Sequence, residues 1–321
     1  MRLLLVPLML ALACDSSSTR PAPQCPTPPN SGIVSKFVLN QMLVPPDRQT
    51  YSYDLVGATP AKPLNAFGDV VSALLTANLN MQDGVTKAVD AGSVILLEQV
   101  LSTDAALQNG CAVFQLSTGK PTDTMLAAGQ TFTIDPTVLP SALPGPISGG
   151  KFTSPDTKTL RADIVASVSL PLIPGAAPLA VNLHGAHIIA TFSANGMAGQ
   201  INGAITQKDI SGTLIPSVAM ILTNKLATDK AAGMLNATDM QILSLFDTGM
   251  CTNPDGSMAV AGDMKIDICE VQSNSLIQTV LRPDVQLFDA NGNFNPTPNA
   301  SMAAKDSLSM GIGFSAVPAT F

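Results

Sequence analysis

The sequence predicts an α+β fold, in which an antiparallel β-sheet system packs against several amphipathic helices. Apolar residues alternate with polar ones between Ile164 and Leu172, as they do in a half-buried strand. Between Phe67 and Leu75, apolar residues recur instead at the spacing of a helix. The 321 residues are enough to bury a substantial core, and no long-period repeat is visible among them.

Residues that commonly begin helices precede several apolar segments. The predicted helix starts are Asn65 as the N-cap of 67–75, Asp83 before 85–89, Asp209 before a helix that runs toward Leu226 and that Pro216 ends or bends, and a Thr238/Gln241 capping box before 242–246. One more helix is expected at 276–281, after a predicted strand.

Extended segments are predicted along most of the chain. The predicted strands are 94–101, 111–116, 164–172, 186–192, 260–268 and 308–314. Asn195-Gly196 and Asn202-Gly203 have the composition of hairpin turns. Prolines and glycines dominate 118–159, so we expect loops there, or a boundary between sub-domains, with only 131–134 and 151–153 extended.

Charged residues are scarce, at 12% of the chain, and the formal net charge is −7. A typical soluble domain contains about 25% charged residues, so polar uncharged side chains must cover much of the surface. The sequence contains no cluster of lysine and arginine. Because nucleic-acid binding requires a basic face, we expect no nucleic-acid partner.

The first fourteen residues have the pattern of an export signal. Arg2 precedes an apolar run, Leu3 to Ala13, that is too short to cross a bilayer as a helix. The run ends in Ala11-Leu12-Ala13-Cys14, which resembles the lipobox of bacterial lipoproteins, although that family most often has leucine where Ala11 stands. The resemblance implies that signal peptidase II removes residues 1–13 and that Cys14 carries diacylglycerol and an N-linked acyl chain such as palmitate.

Residues 14–32 are rich in serine and proline and form a predicted tether, followed by a globular region at 33–321. The mature chain also loosely resembles uncharacterised secreted bacterial lipoproteins, a resemblance that implies no activity. We expect an exported protein that the lipid on Cys14 anchors in the cell envelope, at the outer membrane or cell surface rather than the inner membrane. Asp15 resembles the inner-membrane retention signal of enteric bacteria, so the choice of membrane stays open.

Four cysteines follow Cys14, and an even number in an oxidising compartment predicts disulfides. We expect Cys251 to pair with Cys269, because the TNPDGS segment between them can reverse the chain and return it along the strand at 260–268. A Cys25–Cys111 bridge would then attach the tether to the globular region. None of these cysteines has the Cys-x-x-Cys spacing of a zinc site.

One segment resembles the beginning of a calcium-binding loop, with oxygen-bearing side chains at alternate positions: Asp289, Asn291, Asn293 and Asn295. Only one of these four side chains is a carboxylate, and the twelfth position is Ala300 rather than glutamate. Any Ca²⁺ binding should therefore be weak. We prefer the interpretation that an Asn-Gly turn joins two short extended segments, and we expect no other cofactor.

The candidate catalytic groups are few. Asp247-Thr248-Gly249 resembles the active-site loop of aspartic proteases, but the second such motif that those enzymes need is missing, and a helix end explains the residues better. His184 and His187 are the only histidines, and three residues apart on a regular strand they point to opposite faces. They could share a metal only if Gly185 breaks the strand.

The sequence alone favours an envelope lipoprotein without enzymatic activity, which acts in binding, adhesion or scaffolding with an envelope protein or polysaccharide as partner. The alternatives are a hydrolase with an unrecognised site near the two histidines, and a carrier of a lipid or small apolar ligand. The shape of the fold discriminates among them. Convergent polar groups in a deep pocket favour an enzyme, an apolar cavity favours a carrier, and a continuous core favours adhesion or scaffolding.

Overall fold

The strands lie mainly in one run of the chain, between two groups of helices, and most of them belong to one sheet. The computed structural model describes Cys25 and residues 32–76, 80–121, 128–136, 141–171 and 178–321. Its strands are β1 (Ile33–Leu43), β2 (Leu96–Ser102), β3 (Asn109–Pro121), β4 (Phe132–Ile134), β5 (Ser141–Ser148), β6 (Lys151–Thr153), β7 (Ala166–Leu170), β8 (Leu179–Ser193), β9 (Gly196–Thr206) and β10 (Ser307–Pro318).

Eight strands close into an antiparallel barrel. Their order is β2-β1-β10-β9-β8-β6-β5-β3, and the ring closes because β3 also pairs with β2. β4 pairs with the end of β3, and β7 pairs with β8 outside the ring. The antiparallel α+β class predicted from the apolar alternation is confirmed, whereas the closure of the sheet is a feature that the sequence analysis did not predict.

The helices lie in three stretches of the chain. They are α1 (Ala66–Thr76), α2 (Met81–Asp90), α3 (Gln207–Asp209), α4 (Ile215–Ala231), α5 (Ala237–Phe246), α6 (Ile268–Ser273) and α7 (Ser275–Val280), with a π-helical turn at Ile210–Leu214 between α3 and α4. By length and composition, Gln207–Ala231 is apolar enough to cross a membrane. In this fold its residues Ile215, Ala219, Leu222 and Leu226 are buried in the core.

Aromatic rings fill the barrel. Phe37 of β1 stacks on Phe192 of β8 with ring centroids 6.3 Å apart, although two strands separate β1 from β8 in the ring. Phe114 of β3 and Phe152 of β6 lie 5.5 Å apart in the same way. Contacts between strands that are not neighbours pass through the interior, so the barrel is a packed core and not an open channel.

Prolines explain why one barrel strand was missed. Residues 118–159 were expected to be loop or a sub-domain boundary except at 131–134 and 151–153. Those two segments form β4 and β6 as predicted, whereas β5 was not predicted. Pro144 and Pro146 argue against a strand, because proline cannot donate in a ladder. Yet β5 pairs with β6 only at Ile147 and Ser148. Residues two apart in a strand face the same edge. Pro144 and Pro146 therefore both lack an N–H group on the edge toward β6, where β5 has no partner at these two residues.

The strand predicted at 260–268 does not form, and the segment is irregular. The carboxylate of Asp247, at the C-terminus of α5, accepts hydrogen bonds from the backbone N–H groups of Gly262 (2.6 Å) and Met264 (2.9 Å). Gly262 and Met264 have φ angles of 77° and 67°, which a strand cannot contain. Asp247 thus links the C-terminus of α5 to the loop at 260–268.

Two asparagines have roles that differ from the predicted ones. The helix after Asn65 is present, but the Asn65 side chain bonds the backbone of Gly311 in β10, at 3.0 Å and 2.9 Å, and does not cap the helix. Asn195-Gly196 does form the β8–β9 turn. Asn202 instead lies inside β9 and donates to the carbonyl of Tyr51 at 2.7 Å. Both buried amides attach the 44–65 segment to the outside of the barrel.

Three further helix starts differ from the prediction by a few residues. The helix predicted to begin at Asp83 begins at Met81, with Asn80 as its N-cap. The capping box of α5 consists of Asn236 and Asp239, not Thr238 and Gln241. Both pairs have side chains that can form a capping box, but Asn236 and Asp239 form its hydrogen bonds.

The helix predicted to begin at Asp209 begins slightly earlier. The Thr206 side chain accepts from the backbone N–H of Asp209 and caps α3. The predicted disturbance at Pro216 takes the form of the π-helical turn just before α4. Because proline cannot donate to a carbonyl one turn earlier, a wider turn at this point avoids a lost helical hydrogen bond.

Both predicted disulfides are present. Cys251 and Cys269 have Cα atoms 5.8 Å apart, and Cys25 and Cys111 have Cα atoms 5.4 Å apart, distances that suit a bridge. The first disulfide joins its loop to the start of α6 and not to a strand, because no strand forms at 260–268. Cys14 and the tether at 14–32, except Cys25 and Gly32, lie outside the described residues.

Candidate functional site

An apolar cavity of about 90 Å³ lies between one end of the barrel and the helices that cover it. The strands contribute Leu170 from β7, which pairs with β8 outside the ring, and Val181, Ile205 and Leu308 from the barrel strands β8, β9 and β10. Ile205 and Leu308 are cross-strand partners. Because β9 ends and β10 begins at this edge, the chain leaves the barrel here into α3 and returns here after α7.

Four helical segments complete the cavity wall, and every residue in the wall is apolar. The helical residues are Phe67, Val70, Ala73 and Leu74 from α1, Leu214, Val218 and Leu222 from the π-turn and α4, Phe246 from α5, and Leu276, Ile277, Val280 and Leu281 from α7 and its C-cap. Leu214, Val218 and Leu222 follow one another at four-residue spacing, so they form one stripe along the helix.

One side of the cavity is only partly closed. Leu74, Val218, Ile277 and Val280 are partly buried, unlike the barrel residues opposite them. They belong to α1, α4 and α7, so an apolar molecule could approach between these three helices. The apolar wall offers no hydrogen bond to a ligand, so selectivity inside the cavity can come only from size and shape.

The two histidines lie on the same face of β8, contrary to the expectation for a regular strand. Gly185, with a φ angle of 60°, makes a bulge. His184 consequently lies opposite Ala204 and His187 opposite Asn202, and these two partners share one face of β9 because they are two residues apart.

His184 bridges two carboxylates. Its Nδ1 donates to Asp163 at 2.5 Å, and its Nε2 donates to Asp209 at 2.8 Å. Burial alone lowers the pKa of His184, but the hydrogen bonds and negative charges of Asp163 and Asp209 outweigh it and raise that pKa above its usual value. With both nitrogens occupied, His184 joins the segment before β7 to α3 and has no nitrogen left to act as a base.

His187 forms a hydroxyl–imidazole pair that a substrate cannot reach. The Oγ of Ser154 lies 2.9 Å from Nδ1 of His187, and Tyr53 stacks on the imidazole with centroids 4.0 Å apart. Ser154 and His187 are 3% and 0% exposed. The Nε2 of His187 has no hydrogen-bond partner among the described residues. Burial lowers the pKa of His187, so the imidazole is a neutral core group.

Glu98 is a buried carboxyl group that the sequence analysis did not single out. It faces the barrel interior, opposite Phe37 in β1 and Leu116 in β3, and is fully buried. Neither carboxyl oxygen has a hydrogen-bond partner among the residues that the structure describes. Burial raises the pKa of Glu98 well above its usual value, because the apolar surroundings disfavour the charged carboxylate.

The segment that resembles a calcium loop forms a turn. Phe288 and Phe294 pair across it, and Asp289 accepts hydrogen bonds from the backbone N–H groups of Asn291 and Asn293, both at 2.9 Å. Asn295 donates its backbone N–H to Leu287. Within the described residues, no group of three His, Cys, Asp or Glu side chains could hold a metal ion. Weak Ca²⁺ binding at this turn stays a prediction.

Comparison of the chain with protein-family models, with curated proteins and with solved structures finds no match. Its function must therefore be inferred from the geometry of the fold. The sequence gives no local signal for the cavity, because its walls come from segments as distant as α1 and β10. The helical stripes and strand alternation do predict most of the lining residues as buried, but not that they enclose a space.

Proposed function

We propose that this protein binds a small apolar molecule, or the apolar chain of a larger one, and carries it without chemical change. The observation that carries the proposal is the cavity with its entirely apolar wall. Apolar cavities of roughly 150 Å³ in other proteins stay dry and bind benzene. A cavity of about 90 Å³ can accommodate one end of an aliphatic chain.

The strength of binding should depend on chain length. Each buried methylene contributes about 0.8 kcal/mol, and micromolar affinity requires about 8 kcal/mol. Roughly ten buried methylenes are therefore needed for micromolar affinity, and more once the free-energy cost of association is included. The cavity holds only part of such a chain, and the partly buried side chains between α1, α4 and α7 can contact the remainder.

This proposal selects the carrier from the alternatives that the sequence left open. The hydrolase alternative has little support, because His184 is held by two aspartates and Ser154–His187 is buried. A carrier anchored through Cys14 would work beside a membrane, where apolar ligands are found. The anchor is a prediction of the sequence, and palmitate-analogue labelling of wild type but not of Cys14→Ser would support it.

The direct test is displacement of a fluorescent probe. The protein should saturably bind a dodecyl chain that has a fluorophore at the end left outside the cavity, and dodecanol should displace it. Val218→Phe introduces a larger side chain at the partly buried cavity wall and should weaken binding of both molecules at least about ten-fold, equivalent to ~1.4 kcal/mol. Val260→Phe makes the same substitution on an exposed loop and should leave binding unchanged.

The two variants separate a specific site from general stickiness. If Val218→Phe, with an intact circular-dichroism spectrum, binds the probe as well as wild type, the cavity is not the binding site. If wild type shows no saturable binding, the carrier function is wrong.

A further inference from the structure

A second cleft adjoins the apolar cavity. It has a volume of about 390 Å³ and is lined by Gln207, Ile210, Ser211, Gln272, Gln278 and Arg282, together with neighbouring apolar residues. Ile277 and Leu281 line both the cleft and the cavity. The two spaces therefore meet at α7, with an apolar compartment on one side and, on the other, a cleft lined by both polar and apolar side chains.

The cleft contains one charged residue, Arg282, and no carboxylate. Among the described residues Arg282 has no ion-pair partner within 4.0 Å. Nearby acidic side chains are already engaged: Asp284 accepts from Ser309 and lies near Arg48, and Asp209 accepts from His184. Arg282 is one of several described lysines and arginines that form no ion pair, Arg161 and Lys208 among them, and it is the one that lines the cleft.

The π-helical turn connects the two compartments from the other side. Ile210 and Ser211 at its beginning line the cleft, and Leu214 at its end lines the cavity. Such turns are rare and occur frequently at functional sites. Here the wider turn brings neighbouring residues of one helical segment to both the cleft and the cavity.

Resting on the proposed carrier function, we propose that the ligand is a single-chain anionic amphiphile. Its aliphatic chain occupies the cavity, and its carboxylate or phosphate headgroup lies in the cleft against Arg282. The guanidinium presents a planar set of donors that matches either oxyanion. Gln278 lies four residues before Arg282 in the chain. Its amide nitrogen donates one N–H to the carbonyl of Gln272 at 3.1 Å, and its second N–H can donate to the same headgroup.

The test compares three probes with the same chain: dodecanoate, dodecyl phosphate and dodecanol. Because Arg282 is exposed, wild type should bind at least one anion about three- to five-fold more tightly than the alcohol, the effect of one charge-assisted contact at the surface. Arg282→Gln should remove this preference and change dodecanol affinity by less than about two-fold, since the apolar contacts are unchanged. The anion that loses affinity identifies the headgroup.

Lys208→Gln is the matched control, because it removes the same charge from a neighbouring residue that does not line the cleft. It should keep the preference for the anion. Equal binding of all three probes by wild type, or equal weakening of all three by Arg282→Gln, would overturn the headgroup assignment and leave the carrier function standing. Failure of all three to bind would instead contradict the carrier function itself.

Discussion

At the scale of single residues, two almost fully buried glutamates have opposite environments. Glu98 has no hydrogen-bond partner for either oxygen among the described residues. Glu270 accepts from the backbone N–H groups of Gly249 at 2.6 Å and Asp267 at 2.9 Å. Burial without compensation destabilises a charged group, whereas these hydrogen bonds stabilise it. The same substitution should therefore have opposite effects at the two positions.

Glu98→Gln should increase stability at pH 7. The folded-state pKa of Glu98 is raised, so above the unfolded-state pKa of about 4.3 the folded protein holds a proton that the unfolded chain releases. Wild-type stability should fall with rising pH in that window, by at most about 1.4 kcal/mol per pH unit from this group. In urea unfolding between pH 4.5 and 7, the free energy of unfolding of the variant should lack this decrease with rising pH.

Glu270→Gln is the control and should lower stability by roughly 1–3 kcal/mol, because one backbone donor is left without an acceptor. Equal destabilisation by both substitutions would mean that Glu98 has a partner in solution that its buried position does not reveal.

The His184→Gln variant should be less stable than wild type below neutral pH. The folded-state pKa of His184 is raised, so its contribution is fully present below the unfolded value of about 6.5 and is lost as the pH rises through the folded value. Wild type and variant should therefore differ most near pH 6 and converge at high pH. His187 has a lowered pKa, and His187→Gln should not reproduce this pattern. A difference that is constant between pH 6 and 9 would contradict the charged bridge.

Sequence patterns predicted residue types better than residue roles. Asn65 and Asn202 were recognised as residues that favour caps and turns, but their amides bond the backbone of distant segments. Glu98 stands in an apolar run, where the sequence does not reveal whether its side chain faces solvent or the barrel interior. These roles depend on tertiary contacts that no local pattern contains.

At the scale of elements, the Cys251–Cys269 disulfide should stabilise the irregular loop beside α4. A closed loop of this size contributes about 3 kcal/mol in the chain-entropy model. The Cys251→Ser/Cys269→Ser double variant should lose about that much in urea unfolding. Peptide mapping of the non-reduced protein should recover a cross-linked fragment. Both thiols in a free state, or Cys111 joined to either cysteine, would contradict this pairing.

Elements with regular periodicity were predicted well, and irregular ones were not. The helix at Ala66–Thr76 and the strand at Ala166–Leu170 follow their apolar patterns. β5 was missed because its two prolines argue against a strand, and it forms because those prolines face an edge that is unpaired there. Residues 260–268 were predicted to be a strand because their apolar residues alternate. The segment is irregular instead, since Met264 has a positive φ angle and its backbone N–H donates to Asp247.

At the scale of the whole molecule, the α+β class followed from the sequence, but closure of the barrel did not. Closure depends on the pairing of β2 with β3 while β2 also pairs with β1, and strand order is not encoded in periodicity. The cavity depends in turn on closure, because only a closed barrel has an end that helices can cover. Function was therefore less predictable than fold.

The carrier function requires that an apolar chain occupy the space between the barrel end and α1, α4 and α7. The most direct measurement is anomalous diffraction from crystals of the protein grown with 12-bromododecanol. Because the uncharged chain carries bromine at the end that should enter the cavity, we expect an anomalous peak within van der Waals distance of Leu74, Val218 and Leu308. A well-diffracting crystal at saturating ligand with no peak there, or with bromine only elsewhere, would contradict the account.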